Sequence, residues 1–347
     1  MQLEDNTQLS GYIFADNLFS IPAILDNYSR YANNLAVAFI KTDFVYSFVH
    51  FGDNLFNDNV INGIQTYLNE NVNGIYTNYV IFYSPLLPNK TFLELEKQYN
   101  NFIYVHLPLI AFGQIPYHIN IEHLPEINYK YKKNFCCLTN RSTDLRYSIF
   151  NFLQEKNLLD LGFVSYRNVK RYSGSDGEYL LSEPFKNFKE THYADVDDLD
   201  SQQQMHYVWS YPLEDFLFDF SSETWFEDTP FLTEKSTKAF FWGKIPVSIS
   251  SRNLMHYIEQ FGFDIFRDVI DYKYDIQRDK DLRMELYLQE IHKLATMDIN
   301  TIPDLKIRLE NNRRLMCTLV KRSQTTLENI NLNTRYIAEN RDKFLGY

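Results

Sequence analysis

Phe231-Leu232-Thr233-Glu234-Lys235-Ser236-Thr237-Lys238-Ala239-Phe240-Phe241-Trp242-Gly243-Lys244-Ile245-Pro246-Val247 reads as a loop, a short helix and a strand. Thr233 is placed to cap the helix, Gly243 to end it as the C′ residue, and Ile245 to start the strand. Lys235 then falls in the first helical turn, where a cation opposes the helix dipole at a cost of ~0.3–1 kcal/mol unless an anion shares that end. Unpaired backbone N–H groups beside a lysine form a seat for a diphosphate. In the plainer alternative, Lys235 is solvated and Glu234 pairs with Lys238 at i, i+4, for a few tenths of a kcal/mol.

The same strand-to-helix grammar recurs upstream. Asn134 to Leu138 predicts a buried strand that runs into Thr139-Asn140-Arg141-Ser142-Thr143-Asp144-Leu145-Arg146, a polar loop and a helix capped by Ser142 or Thr143. Arg141, at the carboxyl end of that strand, is set where ligands of open α/β sheets collect, and a guanidinium grips phosphate in a bidentate way. Asn140 and Arg146 flank it as further donor-binding candidates. Phe216 to Phe220, followed by Ser221-Ser222-Glu223-Thr224, is a third strand ending in polar residues. Its Glu223 is set to accept hydrogen bonds from ribose or sugar hydroxyls.

Outward from these segments the whole chain reads as α/β. Strands are predicted at 12–14, 36–40, 45–51, 79–84, 102–107, 162–166, 215–220 and 245–250, with helices at 59–68, 92–99, 143–156, 233–242 and 252–261. The Pro-, His- and Asn-rich stretch from Ile115 to Asn128 marks a boundary between two α/β series. Residues 1–127 form the first domain, 128–281 the second, and 282–347 a helical extension in which Leu305, Leu309, Leu315, Leu319, Leu327 and Ile330 suggest two long helices. The Asp-rich stretch from Tyr193 to Gln204 is expected to be an exposed loop or insertion.

With 34 basic and 45 acidic side chains the formal charge is −11, which argues against a protein whose main task is to grip a polyanion. Three cysteines (Cys136, Cys137, Cys317) supply neither a disulfide framework nor a zinc spacing, and fit a reducing compartment. Met1 to Asn6 is acidic and polar, and no run approaches the ~20 apolar residues that span a bilayer, so the expectation is a cytoplasmic protein.

Taken in order, Phe218 to Thr224 and Thr233 to Val247 resemble the donor-binding half of the α1,3-fucosyltransferase family and its bacterial and phage relatives. That pattern is a strand, a glutamate with a small polar neighbour, Thr-Glu-Lys, a helix and a Gly-x-Ile-Pro-Val type strand. The run Phe261 to Phe266, ending at Tyr274-Asp275, is similar to the tail of phage glycosyltransferase-like domains, and the likeness covers about 135–275. The resemblance implies two Rossmann-like domains facing a cleft (the GT-B type) and a metal-independent transfer of sugar from a nucleotide diphosphate sugar to a hydroxyl, with no other cofactor. It implies that Lys235 and Arg141 contact the donor diphosphate, and that Glu234 and Glu223 hold ribose or sugar hydroxyls. Ser222 departs from the family, which carries an asparagine-containing pattern near the glutamate.

The mechanism needs a carboxylate in the N-terminal domain to deprotonate the acceptor, and Asp16 and Asp53 follow predicted strands there. Two rival readings stay open. One is a phage enzyme, working in the host cytoplasm, that glycosylates hydroxymethylated bases of DNA. Lys132-Lys133, Lys170-Arg171, Arg313-Arg314 and Lys321-Arg322 would then track phosphates. The other is a non-catalytic sugar-nucleotide-binding or structural protein that has kept the fold.

Overall fold

The computed structural model describes residues 37–41, 45–50, 79–84, 90–99, 102–106, 121, 124–139, 143–166, 193–194, 215–223, 230 and 232–339. The chain divides into two compact units, Met1–Gln114 with Leu319–Tyr347, and Ile115–Thr318. The predicted strand at 12–14 and helix at 59–68 lie outside the described residues.

The first unit contains β1 (Val37–Lys41), β2 (Val45–His50), β3 (Tyr79–Ser84), α1 (Lys90–Gln98) and β4 (Phe102–His106), with the strands in the order β1-β2-β3-β4. The pairs β2–β3 and β3–β4 are parallel. The first pair departs from the parallel series expected of the sequence: β1 runs antiparallel to β2, with Val37 opposite His50. Lys41 and Val45 are too close in sequence for a crossover, which takes a dozen or more residues, so the chain turns back on itself. Between β3 and β4 there is room for α1, which packs on β4 and buries Leu95.

The second unit contains β5 (Lys133–Thr139), α2 (Asp144–Glu155), β6 (Gly162–Tyr166), β7 (Tyr193–Ala194), β8 (Phe216–Ser222), α3 (Glu234–Phe241), β9 (Ile245–Ile249), α4 (Leu254–Gln260) and α5 (Lys280–Thr296). The following helix, α6 (Leu305–Glu339), crosses the boundary between the units at Leu319. The strand order is β7-β6-β5-β8-β9, with β5, β6, β8 and β9 mutually parallel and β7 antiparallel at the edge. The stretch expected to be an Asp-rich loop thus begins with a short strand, where Tyr193 pairs with Tyr166.

Apolar runs explain the central strands, because a parallel sheet covered on both faces needs near-continuous hydrophobic sequence. Phe216, Leu217, Phe218 and Phe220 of β8 are all buried, and the Phe220 ring stacks on Phe135 of β5 at 4.6 Å. Opposite Phe135 stands Gly162, where a Cβ would come within 2.2 Å of the phenyl ring. Glycine there lets the ring lie against the neighbouring backbone.

Helix ends follow local chemistry. Thr143 caps α2, accepting from the Arg146 N–H at 3.3 Å, and Thr233 caps α3, accepting from the Lys235 N–H at 3.1 Å. After α3, Gly243 takes φ +64°, the Gly243 N–H donates to the Phe240 carbonyl and the Lys244 N–H to the Ala239 carbonyl. This is the Schellman ending that Gly243 predicts. α5 packs on β5, β9 and α2, and Asn134 donates to the Ala295 and Met297 carbonyls at its C-terminal end, at 2.9 and 2.8 Å. The C-terminal extension holds two long helices, as expected, in α5 and α6, and its leucines from Leu305 to Leu327 lie on α6, which neither Pro nor Gly interrupts. Arg308 of α6 grips Asp264 and Asp268 and lies over the Phe266 ring at 4.0 Å.

Candidate functional site

In the five-stranded sheet the chain leaves β5 through α2 to reach β6 on one side, and later places β8 on the other. Strand order therefore reverses between β5 and β8. At such a switch point the loops part, and a crevice opens beyond the carboxyl ends of the two strands. The described residues at this edge of the sheet are Thr139 at the end of β5, Ser222 and Glu223 at the end of β8, Thr143 and Arg146 at the start of α2, and Thr233, Lys235 and Ser236 at the start of α3.

Arg146 is 7% exposed and spans the reversal: its Nε donates to Ser222 Oγ at 3.1 Å and its Nη2 to the Ser222 carbonyl at 3.5 Å. Glu223, 1% exposed, faces the other way, into α3. One carboxylate oxygen accepts the Ser236 N–H at 3.1 Å, and the other accepts the Thr233 hydroxyl at 2.5 Å. The Lys235 ammonium stands 3.8 Å from that second oxygen, with its side chain 27% exposed. Ser221 adds a tie, donating from Oγ to the Lys235 carbonyl at 3.4 Å. A carboxylate from the strand thus caps the helix, satisfies an N–H that has no intrahelical partner and complements the dipole. Lys235 is accommodated in the first turn because Glu223 supplies the missing negative charge.

Of the sequence-predicted site residues, Arg146, Glu223 and Lys235 meet at this edge of the sheet. As folded, Glu223 spends its oxygens on α3 and holds Lys235, and its side chain is fully enclosed. In this arrangement it supports the start of α3. Glu234 is the first residue of α3. Asn140 and Arg141 fall between Thr139 and Thr143, and Asp16 and Asp53 in the first unit; all four lie outside the described residues.

Sequence reading missed what stands at the end of the adjacent strand. The Glu223 N–H donates to the Ile249 carbonyl at 3.0 Å, so β8 and β9 leave the sheet side by side. Past β9, Asn253 adopts φ 64° and offers α4 no side-chain cap; Asp275 supplies it instead, accepting the Met255 and His256 N–H groups at 3.1 Å each. His256 Nδ1 lies 2.7 Å from the same carboxylate. Arg283, 1% exposed, pins the surroundings by donating to the Ser250 carbonyl at 2.9 Å and to the Gln277 carbonyl at 2.9 and 2.5 Å. The same segment holds buried polar atoms without a hydrogen-bond partner: Ser251 Oγ, Arg252 Nε, Tyr257 OH and Tyr274 OH. Each such group costs ~1–3 kcal/mol unless a ligand or solvent meets it. The visible signal was Ser250-Ser251-Arg252-Asn253, a polar run directly after a strand.

Cys136 and Cys137 are poor nucleophiles. Burial pushes the Cys137 thiol up to about 12 and raises Cys136 well above its ordinary value. Among the described residues no group of three or more His, Cys, Asp or Glu is arranged to hold a metal ion, and no helix is long and apolar enough to cross a membrane. No protein-family model matches the chain, and no curated protein or solved structure shows significant similarity to it.

Proposed function

We propose that this chain transfers a sugar from a nucleotide diphosphate sugar to a hydroxyl acceptor, holding the donor at the carboxyl edge of the five-stranded sheet. The observation that carries the reading is the meeting of Arg146, Ser222, Glu223 and Lys235 at the strand-order reversal, where two helix starts and two cationic side chains converge. A departing nucleoside diphosphate concentrates negative charge, and fixed cations and helix N–H groups at that place lower the barrier. In this reading Lys235, steadied by Glu223, touches the diphosphate, Asn140 and Arg141 reach it from the loop after β5, and Glu234 contacts ribose or sugar hydroxyls. The two α/β units are then the two domains of a GT-B transferase, acting in the cytoplasm where sugar nucleotides are made.

A second reading, a sugar-nucleotide-binding protein without turnover, draws support from Glu223. Its carboxylate already sits where an anion would meet the α3 N-terminus. One experiment separates the two. Thermal melting against a panel of UDP-, GDP-, dTDP- and ADP-hexoses should single out one donor, because a ligand at 100 times its dissociation constant stabilises by ~2.7 kcal/mol. Release of nucleoside diphosphate from that donor supports the transferase, stabilisation without release supports the binding protein, and no stabilisation by any member refutes both.

A further inference from the structure

His256 has the setting of a proton-transfer residue. Asp275 is 2% exposed at its side chain and accepts three hydrogen bonds, from the Met255 N–H, the His256 N–H and the His256 ring. Its backbone is tied down as well, through the Asn253 N–H to the Asp275 carbonyl at 2.7 Å. An ionised carboxylate can only accept, so Nδ1 carries the ring proton, and in the neutral ring Nε2 presents a lone pair on the far side. That side chain is 34% exposed, and among the described residues Nε2 has no hydrogen-bond partner. The orphaned Ser251 Oγ and Arg252 Nε belong to the turn out of β9 that leads into the helix of His256. The paired ends of β8 and β9 bring that turn to the edge of the sheet that carries Glu223 and Lys235.

We propose that His256, positioned by Asp275, is the base that takes the proton of the attacking hydroxyl. The inference rests on the sugar-transfer reading and names a residue that reading leaves open. In the step, the acceptor oxygen forms its bond to the anomeric carbon while the bond from that carbon to the phosphate oxygen breaks. The electron pair of the broken bond leaves on the nucleoside diphosphate. The hydroxyl proton moves to Nε2, leaving an imidazolium whose charge Asp275 balances. Glu259, on the same helix as His256, is paired with Arg267 at 2.6 and 2.5 Å, so its charge is largely spent elsewhere.

The test uses the full chain and the hexose nucleotide that stabilises it most, with water or a hydroxyl acceptor receiving the sugar. His256→Gln should keep the donor-induced rise in melting temperature and release nucleoside diphosphate on the order of 10²-fold more slowly. Asp275→Asn should also slow release, and the ring 15N shifts of His256 should show the Nε2–H tautomer appearing. Intact donor binding with release by His256→Gln within about twofold of the natural chain overturns the inference and leaves sugar transfer standing. A natural chain that binds donor without release overturns it too. A natural chain that no hexose nucleotide stabilises sinks the functional reading itself. Should His256→Gln fail to fold, diethyl pyrocarbonate replaces it: acylation of His256 should track loss of release and slow when donor is bound. An acylated His256 with release intact overturns the proposal.

Discussion

Replacing Glu223 by alanine tests whether a strand carboxylate holds the start of α3. The substitution strands the half-buried Thr233 hydroxyl and takes from the buried Ser236 N–H its carboxylate partner, leaving it only the Thr233 side chain of the capping box. An unpaired donor costs ~1–3 kcal/mol, and losing a charge-assisted partner adds to that. The Lys235 contact adds little, because the lysine is partly solvated and its ammonium stands 3.8 Å away. The expected loss is about 2–3 kcal/mol, less whatever an entering water restores. Glu223→Gln keeps an acceptor for Ser236 and loses only the charge, so about 1–2 kcal/mol is expected. Urea unfolding at constant slope reads the total, and amide exchange over 232–241 reads the local opening of α3. An alanine variant within ~1 kcal/mol of the natural chain, or a glutamine variant as damaged as alanine, would refute the capping role.

Three further outcomes follow from the same geometry. Gly243→Ala should cost about 1–2 kcal/mol in strain at φ +64°. Overpacking adds to this, since a Cβ there lies 2.7 Å from the Ile127 side chain, and a lowered urea midpoint checks it. Arg283→Met should destabilise by about 2–4 kcal/mol by stranding the Ser250 and Gln277 carbonyls, with amide exchange at Met255 and His256 rising first. The Arg308 clamp sets an acid limit. Burial alone would raise the Asp264 carboxyl, but the Arg308 guanidinium and the Phe266 N–H hold it below the usual carboxylate range, and Arg308 also lowers Asp268. Depressed carboxyls stabilise fully above the unfolded value, near ~4, and lose that contribution as pH falls through their folded values. Arg308→Met should therefore destabilise by about 1–2 kcal/mol at neutral pH and flatten the loss of stability below about pH 4. Parallel curves for the two proteins would contradict this.

Much of the fold was legible because it depends on local pattern. The apolar runs at Tyr79–Ser84, Gly162–Tyr166 and Phe216–Ser222 announce strands, and Thr233 and Gly243 mark both ends of α3. Strand direction was not legible from the runs alone; the short link between Lys41 and Val45 carried that information and was passed over. The two long helices of the C-terminal extension were legible from their leucine spacing. The site was less legible for a physical reason. Lys235 and Glu223 sit on separate elements, and only the parallel pairing of β8 with β9 and the return through α3 bring the carboxylate under the helix start. His256 meets the Asp275 carboxylate only because the chain folds back after α4, and neither residue stands in a periodic motif. Spacing identifies which residue types lie near a strand end, but it does not say which are spent on each other.

The most direct test of the central claim is isothermal titration of the best hexose nucleotide into the natural chain, Lys235→Ala and Lys156→Ala. Lys156 caps the far end of α2, away from the strand-order reversal. The account predicts binding by the natural chain, a loss of at least about tenfold (~1.4 kcal/mol) for Lys235→Ala, and none for Lys156→Ala. Equal affinities for all three proteins, or no binding by the natural chain, would contradict it.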